Sequence, residues 1–136
     1  MTATMEMVRA YFDSKGKTYE VFEERNAIRT GYTCEHVTIS VIIIFDDNNQ
    51  TVGLKSFNYV KFPEEKKQKM FEICSKMNYK YRWVKFYVDE TDNSVTLSDD
   101  AYIDLETCGE EIYELIGRMC GIGDEAYPEF MKTVWS

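Results

Sequence analysis

Residues 62–100 read FPEEKKQKMFEICSKMNYKYRWVKFYVDETDNSVTLSDD, and the fold turns on where the period of apolar residues changes within them. Pro63 suits the first position of a helix, where its missing N–H costs nothing, and Glu64 and Glu65 follow at the positive end of the helix dipole. Met70, Phe71, Cys74 and Met77 then recur at helical spacing, with Lys66, Lys67, Lys69 and Lys76 mostly off that stripe. Beyond Met77 and Asn78 the period drops to two. Val84, Phe86 and Val88 share one face of an expected strand, and Tyr81, Trp83, Lys85 and Tyr87 share the other. The acidic run from Asp89 to Ser94 is a hairpin signal, and Val95, Leu97, Asp99, Ala101 and Ile103 line the inner face of the returning strand. A helix therefore runs almost without a loop into an antiparallel hairpin.

Upstream, Met5, Val8, Tyr11 and Phe12 mark a first helix that Gly16 ends at about C′. TYEVFEE alternates from Thr18, and Arg25 to Gly31 reads as a polar break before CEHVTISVIIIF, residues 34–45. Val37, Ile39, Val41, Ile43 and Phe45 share one face of that strand; the other begins polar at Thr38 and Ser40 and turns apolar at Ile42 and Ile44, which predicts cover on both sides of its far half. DDNNQ supplies a turn and TVGLKSFNYVKF the antiparallel partner.

Downstream, Thr107 to Glu110 fits the S/T-x-x-E capping box, and Ile112, Leu115, Ile116 and Met119 continue the buried stripe of a third helix. Gly121 and Gly123 should end or kink it before Ala126, Phe130, Met131 and Val134 resume the pattern. The order is α-β-β-β-α-β-β-α. With two prolines and neither repeats nor a linker, residues 1–136 read as a single domain.

This order resembles the YbjN family of bacterial proteins, which share the fold of type III secretion chaperones. The matching residues are Phe62, Pro63, Glu65 and Lys66, the step at Met77 and Asn78, then Val84, Lys85 and Phe86, and the acidic turn before Val95. The resemblance implies an α+β fold: a twisted antiparallel sheet of about five strands packed by helices, often dimeric, in a non-enzymatic protein concerned with regulation or with binding other proteins.

Composition narrows the partners. A net charge of −8, with acids spread along the chain, repels nucleic acid. Aromatic residues make up 15% of the chain, more large apolar surface than so short a protein readily hides, which points to an interface. The four cysteines, at 34, 74, 108 and 120, form no CxxC pair. With no apolar run near the ~20 residues a bilayer requires and no leader pattern, the chain reads as cytoplasmic with reduced thiols and no membrane partner.

Chemical motifs are few. Cys34 and His36, two apart on an expected strand, form a possible thiol–imidazole or metal-ligand pair, but no further ligand, orienting group or oxyanion hole is signalled. Asp46 to Thr51 and Asp89 to Ser94 lack the Gly and Glu of a calcium loop, and GIGDEA at 121–126 matches a phosphate fingerprint in letters while lying among helical residues. No catalytic, cofactor-binding or metal-ligating residue is assigned. The expected task is that of a non-enzymatic protein-interaction module, chaperone-like or regulatory, acting as a homodimer on a protein or peptide client. The candidate interface is Ile42, Ile44, Tyr81, Trp83 and Tyr87. The alternative is a small-molecule-binding or enzymatic domain using Cys34, His36 and the Tyr-rich strand.

Overall fold

A computed structural model describes residues 1–136. The first helix, α1 (Ala3–Ser14), is capped at Thr2, whose hydroxyl accepts from the Met5 N–H. Asn49, from a distant turn, accepts from the Thr4 N–H at 3.2 Å, so two of the orphan donors at this helix start are satisfied. Met5, Val8 and Phe12 are buried, and Gly16 at φ +66° turns the chain out of the helix as expected.

Next come β1 (Glu20–Phe22), a 3-10 turn (Glu23–Arg25), β2 (Ala27–Thr33), β3 (Thr38–Phe45) and β4 (Thr51–Lys61). A second 3-10 turn (Glu64–Lys66) leads into α2 (Lys67–Lys80), followed by β5 (Lys85–Asp89), β6 (Ser94–Tyr102) and α3 (Cys108–Trp135). The sheet order is β1-β2-β3-β4-β6-β5, with every neighbouring pair antiparallel. All three helices pack on one face, against Ile39, Val41, Ile43, Leu54, Phe86, Val95 and Leu97.

There are six strands rather than five. The extra one is β2, in the stretch read as a polar break. Ile28 and Thr30 point inward there, the Thr30 hydroxyl donating to the Thr18 carbonyl at 2.9 Å, while Arg29 faces out and pairs with Glu20 at 2.6 Å. In α2 the buried stripe is Met70, Ile73, Cys74 and Met77, and Phe71 is exposed. Thr107 does not cap in the expected way: its hydroxyl donates to Glu111 at 2.8 Å, and the same Glu111 oxygen accepts the Asp104 N–H at 2.9 Å.

Helix α3 runs unbroken through Gly121, Gly123 and Pro128. Gly123 is a packing residue rather than a breaker: a Cβ there would sit 2.6 Å from Ile39 Cδ1 and 2.9 Å from Leu97 Cδ1. Its missing side chain lets the helix lie directly on the sheet. Tyr59, buried, donates to the Gly123 carbonyl at 2.6 Å, and burial pushes its phenol far above its ordinary range.

Helix α2 extends to Lys80, and the expected strand from Tyr79 begins only at Lys85. Between them Trp83 has φ +74°, and the Val84 N–H donates to the Arg82 carbonyl at 2.8 Å, a γ-turn of the rare positive-φ kind. Asn78 ties the elements together. Its side chain accepts the Phe86 N–H at 2.7 Å and donates to the Phe86 carbonyl at 2.9 Å. The abrupt step at Met77 and Asn78 is thus the point where the helix end is pinned to the outermost strand.

Candidate protein interface

No helix covers the opposite face of the sheet, although Ala27 and Thr96 on it are buried by neighbouring side chains and turns. Cross-strand partners place Glu20, Arg29, Ile42, Lys55, Ser98 and Lys85 in one row, and Phe22, Ala27, Ile44, Gly53 and Asp100 in the next. The expectation that the far half of β3 is covered on both sides is therefore overturned: Ile42 is half-buried and Ile44 is 36% exposed, because the helices all sit on the other side. Tyr87, opposite Thr96, and Phe57 add exposed aromatic area to this face.

Phe57, two residues after Lys55, faces outward by simple alternation, and a bulge follows it. The pairing register shifts between Ser56 and Val60, Asn58 adopts φ 56°, and Tyr59, which strict alternation would also turn outward, is buried on the inner face. A depression of about 270 Å³ lies beside Phe57, which lines it with Arg29, Ser40, Ile42, Lys55 and Asn58. Lys55 is held there by its bond to the Ser98 hydroxyl at 2.6 Å, and its ammonium lies 5.7 Å from the Tyr87 ring centre. The surface mixes apolar side chains with fixed cations, a composition suited to partner recognition.

The five candidate residues do not form one patch. Ile42, Ile44 and Tyr87 share the face opposite the helices. Tyr81 caps α2 and packs half-buried against Phe86, with ring centres 6.3 Å apart. Trp83 stands off the strand in its γ-turn, where α3 brings Arg118 to within 4.7 Å of its ring. Phe57 was not among the candidates although alternation from Lys55 turns it outward; what the letters of TVGLKSFNYVKF do not show is the bulge that carries Tyr59 inward.

Cys34 and His36 lie in the β2–β3 turn rather than on a strand, with the Cys34 N–H bonded to the Val37 carbonyl. The turn is clasped to α3, the His36 N–H donating to Asp124 at 2.7 Å. One ligand atom each from Glu35, His36 and Asp124 lie within 4.8 Å of one another, with Glu35 and His36 exposed. Burial, then the nearby Asp124 charge, pushes the Cys34 thiol up, the opposite of what a nucleophile or a thiolate ligand requires. Cys74 and Cys120 are both pushed up to about 12, chiefly by burial, and Cys108 is raised for the same reason. No helix is long and apolar enough to cross a membrane.

An antiparallel sheet with helices on one face, entered through a helix pinned to its outer strand, defines the α+β class shared with type III secretion chaperones. The chain belongs to the YbjN family, whose model, described as "Putative bacterial sensory transduction regulator", matches residues 4–132. Among solved structures it is similar to YbjN from E. coli, with a TM-score of 0.65 at 15% identity, covering 92% of both chains. It is also similar to a chain of the ExsC–ExsE complex, with a TM-score of 0.56 at 15% identity over 88% of this chain and 92% of that one. A chain of the HopA1–SchA chaperone–effector complex gives 0.54 at 11% identity over 89% and 93%. At these identities the likeness concerns the fold. No curated protein matches the chain.

Proposed function

We propose that this protein is a non-enzymatic binding module, chaperone-like or regulatory, in which residues 1–136 act as one cytoplasmic unit that pairs with a second copy and engages a protein client. The observation that carries this reading is the one-sided sheet: three helices cover one face and leave Ile42, Ile44, Phe57 and Tyr87 on the other. Apolar and aromatic side chains gathered in this way lose contact with water when a second surface meets them. Two of the similar structures are complexes, one of them a chaperone–effector complex, which supports a protein partner. The enzymatic alternative has less behind it. Its thiol is raised rather than activated, and Tyr81, Trp83 and Tyr87 do not converge with it.

Light scattering over a wide concentration range, on the wild type and on Ile44→Lys and Tyr87→Lys, tests this. Concentration-dependent dimerisation that both variants weaken is the expected result. A strict monomer removes the self-pairing, and a dimer untouched by both substitutions removes the face.

A further inference from the structure

The chain carries 24 acidic residues, yet residues 73 to 88 contain none, while holding Lys76, Lys80, Arg82 and Lys85. Lys80, Arg82 and Lys85 lie at the corner where the last turn of α2 passes through the Trp83 γ-turn into β5, Lys80 beside the Tyr81 ring and Lys85 donating to the Asn78 and Tyr81 carbonyls. The backbone at Trp83 is strained, since a bulky L-residue rarely adopts positive φ, and such strain tends to be kept where it positions a side chain. Here it leaves the indole 56% exposed.

Two guanidiniums flank the indole, Arg82 at 5.3 Å and Arg118 of α3 at 4.7 Å from the ring centre. Neither makes an ion pair or a side-chain hydrogen bond within the molecule. A guanidinium held near a ring by cation–π attraction still has N–H donors to offer, in a fork that matches a carboxylate. The acids facing the corner do not fill that fork: Asp99 is buried behind Arg118, Glu114 lies one turn before Arg118 on α3, and Glu125 faces Tyr81. Trp and Arg are among the residues most enriched at the energetic centres of protein interfaces.

We propose that Arg82, Trp83 and Arg118 form a docking site for an acidic segment of a partner polypeptide, its carboxylates taken by the two guanidiniums and an apolar side chain laid on the indole. A short acidic segment matches the local cationic charge, whereas a nucleic acid meets the −8 of the whole chain along its length. The site rests on the reading of this protein as a protein-binding module, but lies apart from Ile42, Ile44 and Tyr87.

The test uses the full chain with Trp135→Phe, which leaves Trp83 as the sole indole. The probe is a synthetic peptide of about a dozen residues alternating Glu and Phe, compared with its Gln/Phe and Lys/Phe counterparts, long enough to span two guanidiniums. The expected result is a saturable change in Trp83 emission with the Glu peptide alone. Arg82→Gln and Arg118→Gln should each weaken it about tenfold, and added salt should weaken it further. Trp83→Gly suits the left-handed backbone and so preserves the fold; with a labelled peptide it should lose binding by anisotropy. Equal binding of the Gln peptide, no saturable change, or full binding in both Arg variants overturns the site. Ile44→Lys should leave this binding intact, so failure of the sheet-face reading and failure of the corner are read separately.

Discussion

Ile43 and Ile44 are adjacent on β3 and chemically identical, yet one is wholly buried and the other 36% exposed. Phe86 and Tyr87 repeat the contrast on β5. The alternation of a strand separates its two faces without saying what covers either one. On this sheet only one face meets helices. An apolar residue there contributes to stability, whereas the same residue on the other face is available to a partner.

The sharpest way to break that contrast is at β5. Phe86 packs with Phe130 at 5.2 Å and Tyr59 at 6.0 Å between ring centres, so Phe86→Ala should cost about 3–5 kcal/mol in urea unfolding. Tyr87→Ala should cost less than about 1 kcal/mol; similar losses at both positions would mean the outer face is covered. At β3, Ile43→Ala should cost about 2–5 kcal/mol, while Ile44→Lys should change stability by no more than about 0.5 kcal/mol and act on association instead.

Asp99 tests the inner face differently. It points toward the helices, 8% exposed, with Oδ2 lacking a hydrogen-bond partner. Burial raises its carboxyl above the ordinary range, with Arg118 opposing. A carboxyl raised on folding favours the folded state most below the ordinary Asp range, near pH 4, and that contribution is lost as pH rises through the raised folded value. At neutral pH the buried charge is a cost. Asp99→Asn should therefore stabilise by about 1–3 kcal/mol at neutral pH, and the gain should fade in melts at the acid end. A gain that persists in acid would place the cause elsewhere.

The smallest effects separate the glycines of α3. Gly123→Ala must displace Ile39 and Leu97 and should cost about 1 kcal/mol, at the low end because side-chain tips rather than backbone are met. Nothing lies within 4 Å of a Cβ at Gly121, so Gly121→Ala should stabilise by up to about 1 kcal/mol. Thermal melts of the two variants should move in opposite directions.

These contrasts explain what the sequence could convey. Val84, Phe86 and Val88 were legible because a core face leaves a period of two, and Gly16 because a helix end requires positive φ. Residues 27–33 were not, since Arg29 and Gly31 face outward and Thr30 satisfies its hydroxyl locally, so the strand looks polar. Gly123 reads as a breaker in one dimension and proves to be a contact in three. Trp83 continued the alternation in letters, but the γ-turn reversed the chain beneath it. Of the candidate residues, Ile42, Ile44 and Tyr87 share a face that alternation marks, as it does Phe57, whereas Arg118 lies on a helix distant in sequence.

The pair of hydrogen bonds between the Asn78 side chain and the Phe86 backbone reaches beyond holding α2 in place. Strand β5 is the last in the sheet, and its free edge would otherwise offer main-chain donors and acceptors to any extended chain nearby. Asn78 presents one acceptor and one donor, as a neighbouring strand residue would, and occupies the slot at Phe86. At the opposite margin β1 is only three residues long. Both margins thus discourage runaway stacking of copies into a growing sheet, a hazard for a newly made chain rich in Ile, Phe and Tyr. Whatever meets this protein at Phe86 must approach its side chains or first dislodge the helix.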